Sequence, residues 1–137
     1  MRKRQPEQDF QRSLIQWLRA VLPRDALAYA NPNGGLRSKA EAAIFKGLGV
    51  LAGIPDITVI YKGRAYYLEC KIKGTYLSPA QHTTIAMLQS AGSPTAVVRA
   101  IEDAELALAE WKIPLRIKLT RVPNAPKVTY SGDGAEG

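Results

Sequence analysis

The order of apolar patterns along the 137-residue chain predicts a mixed α/β domain, a central sheet flanked by helices. Helical periodicity opens the chain. Two runs rich in β-branched and aromatic residues lie back to back in its middle. Capped helical segments then alternate with short apolar runs. At this length there is room for one domain with a real core and not for two.

From Glu7 to Leu22 the residues Phe10, Leu14, Trp17, Leu18, Val21 and Leu22 recur at helical spacing, and Pro23 ends the run. Leu27-Ala28-Tyr29-Ala30 is a short strand, and Asn31-Pro32-Asn33-Gly34-Gly35 breaks the chain strongly. Ser38 and Glu41 have the spacing of a capping box, so a helix over roughly 39–48 follows, with Gly49 placed to stop it. Ile57–Tyr61 and Ala65–Lys71 read as strands. The short Lys62-Gly63 turn between them predicts an antiparallel hairpin.

Ser78-Pro79-Ala80-Gln81 is a second capping box with proline at the first helical position. Its helix runs to about Ala91 and stops at Gly92. Thr95–Arg99 reads as a buried strand, and Glu102–Trp111 as a last helix bounded by Pro114. Leu115–Leu119 alternates apolar and basic residues and suits an edge strand; beyond Pro123 the polar, glycine-rich tail reads as loose. The expected division is a domain over 1–114 and an edge strand with a flexible tail over 115–137.

Composition narrows the class. Hydrophobic residues make up 46% of the chain, with charges mixed throughout, as in a globular protein. No apolar run approaches the roughly 18 to 20 residues of a membrane span. The basic start, Met1-Arg2-Lys3-Arg4, leads into an amphipathic stretch, so no secretory signal is expected. A single cysteine, Cys70, excludes an intramolecular disulfide and fits a reducing, cytoplasmic setting. The formal net charge of +7 points to a polyanionic partner, most simply nucleic acid, and its even spread favours a broad surface over an arm.

The chemistry concentrates in Gly53-Ile54-Pro55-Asp56 and Leu68-Glu69-Cys70-Lys71. Side chains alternate along a strand, so Glu69 and Lys71 share one side and Cys70 takes the other. Asp56 opens the preceding strand, and the hairpin brings that end beside Glu69. Two carboxylates then converge with an ammonium. Such a set suits Mg²⁺, a hard cation that takes few protein oxygens, with the Cys70 carbonyl as an extra ligand. It suits hydrolysis of a phosphodiester, which needs positive charge on the non-bridging oxygens and a water aimed in line. Lys71 can position the water, help deprotonate it, or neutralise developing charge. Each fragment alone has an ordinary reading, a solvated strand pair or a turn; their order and hairpin spacing make the signal.

These residues resemble the PD-(D/E)xK nuclease signature. Asn31-Pro32-Asn33-Gly34-Gly35, Gly49-Val50-Leu51-Ala52-Gly53-Ile54-Pro55-Asp56 and Leu77-Ser78-Pro79-Ala80-Gln81 are further similar to the VRR-NUC family, over about Glu7 to Trp111. The resemblance implies a restriction-endonuclease-like fold, Mg²⁺ dependence with Mn²⁺ as a substitute, and no small-molecule cofactor. It implies that Asp56 and Glu69 bind metal, that Lys71 is catalytic, that Glu7 adds an acid to the metal site, and that Gln81 lies at the active centre. It also implies a homodimeric DNA endonuclease acting on branched or junction DNA, with a part in DNA repair. Gln81 is already explained as the partner of Ser78, and Glu7 as an acid complementing a helix dipole.

His82, the one histidine, reads as ordinary surface, and Cys70 as core. Asn33, Arg37, Lys39, Lys46 and Lys73 are candidates for contacts to the nucleic-acid backbone, which position a strand without reading bases. Tyr29 and Asn31 are either loop chemistry or further such contacts. Two other functions compete: a catalytically inactive nucleic-acid-binding module of the same fold, and a protein-interaction domain that pairs through the segment at Leu115–Leu119.

Overall fold

The computed structural model describes residues 5–32, 38–119 and 128–130. Helix α1 (Pro6–Val21) starts on a proline and carries Glu7 and Asp9 in its first turn, where the helix dipole favours anions. Strand β1 (Leu27–Ala30) follows, then α2 (Lys39–Gly47), β2 (Ile57–Tyr61) and β3 (Arg64–Cys70). The second half holds α3 (Pro79–Ser90), β4 (Thr95–Val98) and α4 (Ile101–Glu110), then the short strands β5 (Ile117–Leu119) and β6 (Val128–Tyr130). The expected central elements all form, with ends shifted by one residue or so.

The central sheet has the order β1-β2-β3-β4. β1 and β3 both run antiparallel to β2, and β4 runs parallel to β3, reached across α3. The hairpin closes through Lys62 and Gly63, both with positive φ, the conformation a two-residue turn needs to match strand twist. Ile57, Val59 and Tyr61 of β2 and Tyr66, Leu68 and Cys70 of β3 enter the core, where Leu14, Trp17, Leu18 and Val21 of α1 and Ala104 and Leu108 of α4 meet them. Trp111 stacks on Tyr66 with ring centroids 5.0 Å apart, so it belongs to this packing. Thr58 and Glu69 point the other way by strand alternation, yet both are buried. α4 starts without a polar cap residue; instead Asp103 accepts from the backbone N–H groups of Arg99 and Ala100.

The strand expected in the C-terminal region forms as β5. It lies outside the central sheet and pairs antiparallel with β6 in a separate two-stranded ladder. The tail read as loose therefore contains a strand at Val128–Tyr130, a β-branched and aromatic triplet that sequence composition around it masks. β5 is tied to α1: the backbone N–H of Arg116 donates to Val21 O, and its guanidinium to Ala20 O at 2.7 Å and Leu22 O at 3.3 Å. Those carbonyls end a helix and have no partner within it. The other tail residues lie outside the described set. Among the described residues no helix is long and apolar enough to cross a membrane.

Candidate active site

The hairpin register places the acids. Ile57 pairs with Leu68, so one step further sets Asp56 opposite Glu69. The backbone confirms it: the N–H of Cys70 donates to Asp56 Oδ2 at 2.8 Å, and the N–H of Asn31 donates to Asp56 O at 2.7 Å. Asp56 thus sits between the ends of β1 and β3. Its carboxyl lies within hydrogen-bonding reach of that of Glu69.

Glu69 is almost wholly buried, 1% exposed. Gln81 Nε2 donates to its Oε2 at 3.0 Å, and Lys71 Nζ lies 3.9 Å from the same oxygen. Among the described residues its Oε1 has no hydrogen-bond partner. Burial first, and the Asp56 charge second, push the Glu69 pKa up to about 8; Lys71 opposes the shift and is outweighed, while Glu7 adds to it from further off. At neutral pH this pair therefore holds a proton or needs a cation. Two facing acceptor-only groups with an orphaned oxygen fit a divalent ion well.

Among the described residues no three His, Cys, Asp or Glu side chains gather closely enough to hold a metal by themselves. The site offers two carboxylates and leaves the remaining positions to backbone oxygen and water, which is how Mg²⁺ is commonly held. Glu7 lines the same cleft as Asp56 and Glu69 but does not close the cluster. The Cys70 side chain is fully buried in the core and burial pushes its thiol pKa up, so only its backbone can serve the site.

Helix α3 locks the arrangement. Gln81 accepts from the backbone N–H of Ser78 through Oε1 at 2.8 Å while donating to Glu69 through Nε2, so one side chain both caps the helix and orients the acid. Thr84 donates its hydroxyl to Ala52 O. Gly53 lies against the start of α3 with φ +80°; a Cβ there would stand 2.4 Å from Ala80 O. The loop that delivers Asp56 is thus pressed onto the helix that delivers Gln81. Asn31 finishes the clamp, donating from Nδ2 to Pro55 O and to Thr58 Oγ1, both at 2.9 Å. These bonds hold the Asp56 loop, the loop chemistry offered as one reading of Asn31, which also lines the cleft. Thr84 went unnoticed in the sequence, where nothing marks it; its burial within α3 appears only in the structure.

The acids open into a cleft of about 930 Å³ between the first half of α1, the end of β1, the Gly53–Asp56 loop and the start of α3. Arg12, not singled out by sequence, lines it and pairs with Asp9 at 3.4 Å. Lys73 is exposed just beyond Lys71, and His82 is exposed on α3. Lys39 and Lys46 are exposed on α2, outside the cleft lining. Asn33 and Arg37 lie outside the described residues.

No family model and no curated protein matches the chain. Solved structures do. One named "VRR_NUC domain protein" is 25% identical, with a TM-score of 0.60 over 80% of this chain and 90% of its own. Another, "VRR_NUC domain", is 19% identical, with a TM-score of 0.53 over 78% of this chain and 97% of its own, a likeness of fold. With Asp56, Glu69 and Lys71 gathered at the end of a four-stranded sheet between flanking helices, the likeness to these structures supports a VRR-NUC domain and is consistent with the PD-(D/E)xK superfamily.

Proposed function

We propose that this protein is a Mg²⁺-dependent DNA endonuclease that hydrolyses phosphodiester bonds, selects branched or junction DNA over linear duplex, and works as a homodimer. One observation carries the reading: the buried Glu69 carboxyl facing the half-buried Asp56, with one Glu69 oxygen lacking a partner among the described residues and an ammonium 3.9 Å away.

Asp56, Glu69 and the Cys70 carbonyl would hold Mg²⁺, with Mn²⁺ able to replace it. When bound, the ion supplies charge to the non-bridging phosphate oxygens and makes water a competent nucleophile near neutral pH. The chain's own residues do the rest. Gln81 and Asn31 are positioning residues: the first fixes the Glu69 carboxyl, the second the Asp56 loop. Lys71, nearly buried, keeps its ammonium beside Glu69, where it can orient the attacking water or offset charge on the phosphate. The net charge of +7, with Arg12 in the cleft, draws in a polyanion.

Dimerisation is supported by α2. None of its residues is buried, and Ile44 and Leu48 are 62% and 74% exposed, a face that a second copy would cover. Two copies of one site suit a two-stranded branched target.

The test is incubation of labelled junction, flap, nicked and linear DNA with Mg²⁺ and then with a chelator. Cleavage of the branched substrates is expected, abolished by chelation and by Asp56→Asn or Glu69→Gln. Salt-sensitive binding with no scission under any divalent ion would make this an inactive binding module instead.

A further inference from the structure

We infer that the loop joining β3 to α3 carries a stacking platform for an unpaired nucleobase next to the cut, with Tyr76 as the ring and Arg99 as the cation behind it. This rests on the nuclease reading and names the feature its substrate must have.

The loop leaves the site at Lys71 and returns at Ser78, which lines the cleft, so both of its ends belong to the site. Between them Tyr76 is 80% exposed. Leaving an aromatic ring that far out forgoes burial, and a floppy loop would be the simplest cause. This loop is fastened instead. The Ile72 carbonyl accepts from the Thr75 N–H at 3.1 Å, the Thr75 hydroxyl at 2.8 Å and Arg99 Nη1 at 2.8 Å. Arg99 is itself held, its backbone N–H donating to Asp103 Oδ2 at 2.8 Å. Its guanidinium lies 5.7 Å from the centre of the Tyr76 ring, within cation–π range.

The ring is therefore set in place before any ligand arrives, with a cation against one face and the other face open. A second cation, Lys73, is exposed on the same loop. An aromatic face among positive charges is the chemistry that binds single-stranded nucleic acid, stacking on a base while cations meet its phosphates. A base within a duplex has both faces occupied by its neighbours and cannot use the platform. The occupant is thus a nucleotide already unpaired beside the scissile phosphate, such as one at a flap or junction.

The experiment is a binding titration in chelator, which separates recognition from cutting, using flap DNA with 2-aminopurine at the unpaired positions flanking the cut and a fully paired duplex as control. Wild type and Tyr76→Phe should quench the 2-aminopurine. Tyr76→Ala should lose the quenching and bind the flap about 5- to 30-fold more weakly while binding the duplex unchanged. Equal affinity of Tyr76→Ala and wild type for both DNAs would overturn the platform, as would equal losses on both. A Tyr76→Ala change in sedimentation without a change in quenching would overturn it too, assigning the ring to contact between copies. Selective quenching without scission in Mg²⁺ would keep the platform and remove the nuclease reading. Scission that needs Asp56 and Glu69 but ignores Tyr76→Ala on every DNA would do the reverse.

Discussion

Helices α2 and α3 begin with the same device and end up doing different things. Each has a serine N-cap that accepts from the third residue of the helix, whose side chain reaches back to the serine N–H: Ser38 with Glu41, Ser78 with Gln81. In α2 the third residue is an exposed glutamate, no residue of the helix is buried, and Ile44 is 62% exposed. In α3 it is a glutamine whose oxygen serves the cap and whose nitrogen binds Glu69. A glutamate can replace the first half of that role and not the second, because an ionised carboxylate has no donor. The same local signal therefore starts both helices, and one amide nitrogen makes the second part of the candidate site.

The sharpest way to break this comparison is to make α3 resemble α2. Gln81→Glu keeps the cap but removes the donor to buried Glu69, so the protein should stay folded with a lower melting temperature. It sets a third carboxylate against the Asp56–Glu69 pair, and cleavage should fall about 100-fold or more, as when an oriented donor is lost from an active site. Unchanged turnover in a single-turnover assay would detach Gln81 from Glu69's function.

Gly53→Ala should come next. Positive φ and a Cβ 2.4 Å from the Ala80 carbonyl must force the Asp56 loop off α3. A stability loss of about 2–3 kcal/mol is expected in denaturant melts, accompanied by lost cleavage.

The third effect is pH dependence in the metal-free protein. Glu69 titrates near 8 when folded and near 4.5 when not. Between those values the unfolded chain releases a proton that the folded one keeps, so stability falls as pH rises from about 5 to 8. Melting curves across that range should slope downward for wild type and less so for Glu69→Gln. Mg²⁺ should raise the wild-type melting temperature more at pH 8 than at pH 6, since the ion takes the proton's place.

The smallest effect is in the caps themselves. Ser38→Ala and Ser78→Ala should each cost about 1 kcal/mol, yet only the second should slow cleavage, because only Ser78 steadies a side chain that touches the site. Equal effects of the two on cleavage would dissolve the contrast.

Much of the site was legible because its logic is local. Alternation along β3 put Glu69 and Lys71 together, and the tight Lys62-Gly63 turn put Asp56 beside them. What lay hidden depends on contacts between elements. The capping box accounts for Gln81 completely, and only the family resemblance put it at the active centre; local pattern did not say that its other end meets Glu69. Thr84, Asn31 and Gly53 act across 32, 24 and 27 residues of chain, respectively on Ala52, Pro55 and Ala80. The C-terminal ladder was missed for a related reason. Three-residue strands carry too little periodicity to stand out, and Arg116 reaches α1 from 96 residues away.

The most direct measurement is calorimetric titration of the free protein with Mn²⁺ at pH 7, run in buffers of different ionisation enthalpy. Binding should be accompanied by release of a proton from Glu69, and both Asp56→Asn and Glu69→Gln should weaken it at least about tenfold. Binding of equal strength in wild type and both variants would contradict the account, since the two carboxyls would then not be where the cation sits.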